Sequence, residues 1–278
     1  MNNEEVMKKI NSFPYWINQF DLKGNLTPVP NKRTINGALQ RKSYFFDPVV
    51  EFFGGSLKGK KILDVGCNSG FWSLLAIENG CDSIVGIDGR QMHIDQANFV
   101  FEVKEINKSK YEFIGGNVFD LDFSKYGDFD IVMCLGFFHH MNRQMQLLEK
   151  IAEVNSDMLI LETRVSRLPG SFMQLMNEQT DHYANSIDYT LTMLPTKKSV
   201  LSMTREFEYK SIILKPQPPH NEALENYRTN RRKAFICSKQ SDLSIFPAEI
   251  ETIDVKSEIR DVASMSINFL ANKLMNKK

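Results

Sequence analysis

The segment from Lys61 to Asp88 limits the possible fold more than any other part of this chain. It reads KILDVGCNSGFWSLLAIENGCDSIVGID. The short apolar run at 60–66 ends in glycine, which suits a buried parallel strand. Gly70 then opens a helical stretch, FWSLLAIEN, that Gly80 can close as a C-cap. A second apolar run at 82–88 ends in Asp88. Strand, loop, helix and strand in this order make a βαβ unit with a right-handed crossover.

The same rhythm continues downstream. A helix carrying Ile94, Ala97 and Phe101 at helical spacing precedes strand-like runs at 111–114, 130–136 and 158–163, the last two separated by a helix around 142–155. From 164 to 195 the pattern breaks into a polar, Met-rich insert. It resumes with a helix near 196–207 and strands at 209–215 and 233–239. Alternation of this kind predicts an α/β fold with a doubly wound, mostly parallel seven-stranded sheet. Three parts are expected: an N-terminal extension over 1–44, the main domain over 45–240, and an appendage over 241–278 that ends in a helix from Ser257.

Composition narrows the setting. The 278 residues are 42% hydrophobic, enough for a sizeable core, and the 34 basic and 34 acidic side chains cancel. A protein held on nucleic acid mainly through phosphates usually carries a basic excess, so zero net charge lowers that expectation. The opening MNNEEVMKKI has no apolar core of a signal peptide, and no apolar run approaches the length of a membrane span. Cys67, Cys81, Cys134 and Cys237 are scattered without a CxxC pair, as reduced buried thiols are. A cytoplasmic protein without membrane association or bound metal is expected.

Ligands of open parallel sheets sit beyond the carboxyl ends of the strands, where strand order reverses. Here that edge carries Asp64-Val65-Gly66-Cys67-Asn68-Ser69-Gly70, with Asp88 following 24 residues after Asp64. Gly66 permits a sharp turn, and Gly70 lets the helix begin close to a ligand. Asp88 can accept both hydroxyls of a ribose in charge-assisted hydrogen bonds. A nicotinamide dinucleotide calls for GxGxxG, with glycine where this chain has Asn68. A carboxylate at Asp64 repels pyrophosphate but suits the ammonium of a methionine moiety. DxGxxxG with Asp88 therefore favours S-adenosyl-L-methionine as cofactor, with Cys67 and Asn68 among its contacts.

ILDVGCNSGFWSL and IVGID resemble the first two motifs of class I S-adenosylmethionine-dependent methyltransferases. The aromatic after the loop glycine is similar to the group that includes the tRNA wobble-uridine carboxymethyltransferases. PYWINQFDLKGNLTP, LGFFHH, LILET, PTKKSVLSM and RRKAFIC extend the resemblance over most of 14–239. It implies that Asn117 and Val118 border the adenine, through an amide and a backbone N–H. It also implies that the segment from Gly136 to His140 lies beside the transferred methyl group.

Methyl transfer from a sulfonium is an in-line displacement that needs positioning, plus a base when the nucleophile is a hydroxyl. His139 and His140 are the candidates for that base, although either can instead pack or cap the next helix. Glu162, His182 and Tyr183 are candidate acceptor contacts, although Glu162 can instead bind only local backbone N–H groups. Arg231, Arg232 and Lys233 can hold an anionic group of the acceptor, with Arg232 the favoured contact. The carboxymethyltransferase group has tyrosine where this chain has His139. Plain methyl transfer to an O or N atom of a small or medium-sized polar acceptor is therefore expected. The alternatives are wobble-uridine (carboxy)methyl transfer on tRNA and a module that binds cofactor without turnover. Ile259, Val262, Phe269, Leu270 and Leu274 share a helical face. That face either packs on its own domain or joins two subunits of a homo-oligomer.

Overall fold

The structure, a computed structural model, describes residues 1–188, 190–216 and 225–249. The chain opens with α1 (Asn3–Ser12), the short strands β1 (Asp21–Leu22) and β2 (Asn25–Leu26), and helices α2 (Lys32–Arg41) and α3 (Asp47–Phe52). Then come β3 (Lys61–Val65), α4 (Phe71–Glu78), β4 (Ser83–Asp88), α5 (Gln91–Val103), β5 (Tyr111–Gly115), β6 (Phe129–Leu135), α6 (Gln144–Val154) and β7 (Asn155–Arg164). The insert contributes β8 (Met173–Asn177) and β9 (Leu191–Pro195). After it come α7 (Lys197–Glu206), β10 (Lys210–Ile213), α8 (Glu225–Arg228) and β11 (Arg232–Ser238).

Seven strands form one sheet in the order β10-β11-β7-β6-β3-β4-β5. β3 pairs in parallel with both β4 and β6, and β11 is antiparallel to its neighbours β7 and β10. The expected doubly wound, mostly parallel sheet is what forms. The pleat sends alternate side chains to opposite faces. Ile62, Ile84, Ile131 and Met133 join the core layer that holds α4, α5 and the N-terminal aromatics. Leu63, Val85, Val132 and Cys134 join the layer under α6 and α7. Burial on both faces explains why these strands read as nearly continuous apolar runs.

Two segments are more ordered than their sequences suggest. The extension starts with α1, closed by a capping box in which Asn2 and Glu5 satisfy each other's backbone N–H groups. Val6, Ile10, Trp16, Phe20 and Leu22 bury themselves in the main core. The insert, expected to be irregular, folds as an antiparallel ribbon of β8 on β9, with Leu175 opposite Met193. Its lack of clean alternation fits strands that are only partly covered, with Leu175 and Leu191 exposed. All four cysteines are buried free thiols. Among the described residues no helix is long and apolar enough to cross a membrane. The helix expected from Ser257, with its apolar face, lies outside the described residues.

Candidate active site

The chain runs outward from β3 through β4 to β5, then returns to the other side of β3 for β6 and β7. The loops after β3 and β6 thus diverge and leave a crevice at the carboxyl edge. A cavity of about 370 Å³ lies there. Gly66, Cys67, Asn68 and Asp88 form one wall, Asn117 and Val118 another, and Gly136, His139, His140 and Arg232 the far side. Tyr183 reaches it from the insert.

The loop after β3 depends on backbone that ordinary side chains resist. Gly66 and Gly70 have φ of 76° and 78°, and Asn68 has φ of 50°. A Cβ at Gly66 would lie 2.7 Å from the Phe137 ring, so no side chain fits between this loop and the one after β6. Asp88 holds the loop from the end of β4: its Oδ2 accepts the Asn68 N–H at 3.0 Å. Its Oδ1 accepts the Arg90 N–H at 2.9 Å and lies 3.0 Å from His93 Nδ1. A carboxylate oxygen accepts two hydrogen bonds, so Oδ2 keeps one position for a hydroxyl donor. Asn117 uses its Oδ1 to accept the Phe119 N–H at 3.1 Å and thereby fixes the turn that presents Val118.

Four of the residues expected at the site stand away from the cavity. Asp64 does not line it. The pleat of β3 turns its carboxylate under α4, where the Ser73 hydroxyl donates to Oδ2 at 2.6 Å. Burial there pushes the Asp64 carboxyl up to about 7, against the lowering effect of Ser73. Gly70 does not line the cavity either, and a Cβ there would lie 3.2 Å from Ala97 of α5 and 3.3 Å from Phe113 of β5, so this glycine also lets α4 start close against α5 and β5. Glu162 is fully buried and takes up its carboxylate with Arg232, whose Nη2 donates to Oε2 at 2.7 Å, and with the Tyr227 hydroxyl at 2.8 Å. His182 is exposed and sits against Tyr15, 5.9 Å between ring centroids, outside the cavity.

The two histidines after β6 differ sharply. His139 is buried, with Nδ1 3.1 Å from the Thr163 hydroxyl oxygen and 3.3 Å from the Arg164 backbone nitrogen. Burial first, then the charges of His140, Arg232 and Arg164, hold its pKa well below the usual histidine value. A ring that resists a proton in this way is a poor general base near neutral pH. Nor can it hold an anion as a cation. His140 presents Nδ1 to the Glu178 carboxylate at 2.7 and 2.9 Å. A carboxylate only accepts, so this Nδ1 carries a hydrogen, and in the neutral form of the ring the lone pair lies on Nε2. Burial raises the Glu178 carboxyl, but the His140 contact, the Ser186 N–H and the Arg164 charge together bring it below the usual range. Arg232 reaches the cavity with its charge already matched by Glu162, and Lys233 is buried and paired with Glu249.

Three contributors carry no sequence signal of their own. Glu178 is one acid among several in the insert. Arg90 places Nη2 3.1 Å from the carbonyls of Thr180 and His182, and 3.3–3.4 Å from those of Asn185 and Ser186. That cation ties the insert to the turn after β4. His93 had only its position five residues beyond Asp88 to mark it.

A methyltransferase-domain family profile matches residues 56–211. Among curated relatives, the tRNA U34 carboxymethyltransferase of Helicobacter pylori (strain Shi470) is 34% identical over 117 residues, 41% of this chain and 44% of that protein. The ubiquinone biosynthesis O-methyltransferase of Neisseria meningitidis serogroup C (strain 053442) is 26% identical over 121 residues, 43% of this chain and 50% of that protein. The chain thus spans about half the length of the curated relatives it matches. Among solved structures, the N-terminal domain of EvdMO1, in the presence of SAH and D-fucose, superposes with a TM-score of 0.66 at 20% identity, covering 87% of this chain and 98% of that one.

The walls suit S-adenosylmethionine. Asp88 offers an open acceptor position for a ribose hydroxyl, Val118 and Asn117 flank the place beyond β5, and Gly66 leaves the loop bare of side chain. The profile, the strand order and this lining agree. The chain belongs to the methyltransferase-domain family and has the class I, S-adenosylmethionine-dependent fold.

Proposed function

We propose that the chain transfers a methyl group from S-adenosylmethionine to an oxygen, or a nitrogen, of a small or medium-sized polar acceptor, with His140 as general base. One observation carries this reading: the His140–Glu178 pair, 2.7 Å apart, lines the same cavity as Gly66, Asn68 and Asp88. When bound, S-adenosylmethionine supplies a methyl group on a cationic sulfur that leaves as a neutral thioether. Asp88 and the 66–68 loop hold the ribose end, and Val118 and Asn117 border the adenine. Glu178 fixes the His140 tautomer, so that Nε2 is free to take the proton of an acceptor hydroxyl as the C–O bond forms. Glu178 also stabilises the imidazolium that results. The insert, tied down by Arg90, covers the cavity and excludes water.

Carboxymethyl transfer, the activity named for the Helicobacter relative, would need a donor or cation against the extra carboxylate. His139 carries no charge, Lys233 is paired with Glu249 and Arg232 is matched by Glu162, which weighs toward the plain donor. Arg41 and Arg164, by contrast, line the same cavity and are the cations through which a carboxylated donor would be held. Competition binding tests this. S-adenosylmethionine is expected to bind better than its carboxylated analogue. An analogue that displaces it at a tenfold lower concentration, about 1.4 kcal/mol, would give the carboxymethyl reading the lead.

A further inference from the structure

A second cavity of about 510 Å³ opens beside the first and shares Arg164 and Arg232 with it. Arg167 and Arg231 complete a ring of four guanidinium-bearing residues, with Ser166, Gln174 and Asn226 among the other walls. No Asp or Glu lines it, although acidic and basic residues are equal in number over the whole chain. Glu162 matches Arg232. Among the described residues, no acid forms an ion pair with Arg164, Arg167 or Arg231. Four guanidiniums with only Glu162 in an ion pair among them repel one another, and an anion between them relieves that repulsion.

We infer that this second cavity is an acceptor subsite for a phosphoryl group, held by Arg164, Arg167 and Arg231; the inference rests on the methyl-transfer reading above. The chemistry favours phosphoryl over carboxylate. A carboxylate offers two oxygens and one charge, which a single forked guanidinium satisfies. A phosphate monoester offers three oxygens and close to two charges, which three guanidiniums match. The position fits as well. Arg164 is shared by both cavities, and its charge acts on Glu178, the partner of His140. An acceptor anchored here by its phosphoryl group would extend its nucleophile toward His140. Arg167 and Arg231 are exposed side chains at the mouth, which suits capture of an anion from water. The same arrangement gives discrimination: an acceptor lacking the phosphoryl group leaves the guanidiniums unmatched.

The test is calorimetric titration of the full chain with inorganic pyrophosphate at low ionic strength, in wild type and in the exposed-site variants Arg167→Ala and Arg231→Ala. Saturable binding is expected in wild type, weakened tenfold or more in each variant, with S-adenosylhomocysteine affinity unchanged within twofold. No saturable binding in wild type, or equal affinity in the variants, overturns the proposal. A single-stranded RNA oligomer titrated in parallel separates the sources of phosphate. RNA bound a hundredfold tighter than pyrophosphate, and lost in the same variants, would assign these arginines to a nucleic-acid backbone and overturn the small acceptor. Pyrophosphate binding as expected, without any binding of S-adenosylhomocysteine, upholds the anion site and removes only the methyl-transfer reading beneath it.

Discussion

The two sides of the crevice are built differently. On the side of β3 and β4, partners are close in sequence: Ser73 meets Asp64 nine residues away, Arg90 meets Asp88 two away, and Asn68 meets Asp88 twenty away. Across the crevice the partners are distant. His140 meets Glu178 across 38 residues, and Arg232 meets Glu162 across 70. The first side is one βαβ unit whose loop geometry follows from its own glycines. The second is assembled only when the insert and the last strand come back to the sheet. On the function proposed above, the local side holds the cofactor and the long-range side the acceptor. Two walls built so differently can vary independently, which fits one cofactor serving many acceptors on this fold.

The largest expected effect lies on the long-range side. His140→Gln should lower turnover by roughly 10²–10⁴, about 3–5.5 kcal/mol, if His140 is the base. Glu178→Gln should follow in the same direction with a smaller loss, because the amide can present an N–H and misorient the ring. His139→Gln should spare the chemical step, since burial already makes that ring a poor proton acceptor. Single-turnover rates with a working acceptor would separate the three. A loss at His139 as large as that at His140 would break the distinction drawn between them.

Next in size is the buried ion pair that supports the same wall. Arg232→Met leaves Glu162 charged and fully buried, and should cost about 3–5 kcal/mol in urea unfolding. Changing both partners, Glu162→Leu with Arg232→Met, should cost less than the single change, because no charge is then stranded. A single change that costs under about 1 kcal/mol would mean that Glu162 gains a proton or another partner.

On the local side, Asp88→Ala should weaken S-adenosylhomocysteine binding by about 1.5–3 kcal/mol, the range for hydrogen bonds to a charged group. Because Asp88 also accepts the Asn68 and Arg90 N–H groups, some stability should be lost with it. Asp88→Asn keeps one acceptor and sharpens the comparison: a smaller loss of stability is expected, with most of the loss in affinity retained. Unchanged affinity by calorimetry would remove Asp88 from the ribose site.

This contrast also explains what could be read from the residues alone. The seven strands were legible because burial on both faces makes them continuous apolar runs. Gly66, Asn68 and Asp88 were legible because turn and charge lie within one motif. Asp64 and Gly70 belong to the same motif, yet only the pleat of β3 and the approach of α5 show that they pack behind the loop. Glu162, read either as an acceptor contact or as a partner of local backbone N–H groups, carries no local hint that Arg232 and Tyr227 will enclose it. Glu178 was illegible for the same reason, since nothing in QLMNEQTD marks which acid meets His140. The α1 helix was legible after all, in the Asn2 and Glu5 spacing, but weak periodicity beyond it obscured the signal.

The smallest effect expected is a pair of opposed pH slopes, one from each side of the crevice. Asp64 keeps its proton in the folded chain up to about 7, whereas an ordinary aspartate releases it near 3.8. Between those values the folded state binds the extra proton, so this group's contribution to stability falls as pH rises. His139 acts in the other direction. Its pKa lies well below 6.5 in the folded chain, so below that value the unfolded state binds the extra proton and stability falls as pH drops. Around pH 5 the two contributions oppose each other, each limited to about 1.4 kcal/mol per pH unit. Asp64→Asn keeps the Ser73 hydrogen bond but removes the titration, and so leaves the His139 slope exposed. Relative to wild type, its stability should rise more steeply from pH 4.5 to 5.5. His139→Gln should show the reverse, a slope turned downward over the same interval, whatever its overall loss of stability. Urea midpoints at the two pH values measure both. Parallel slopes in all three proteins would mean that neither group titrates as its burial requires, and the base assignment to His140 would lose the contrast on which it stands.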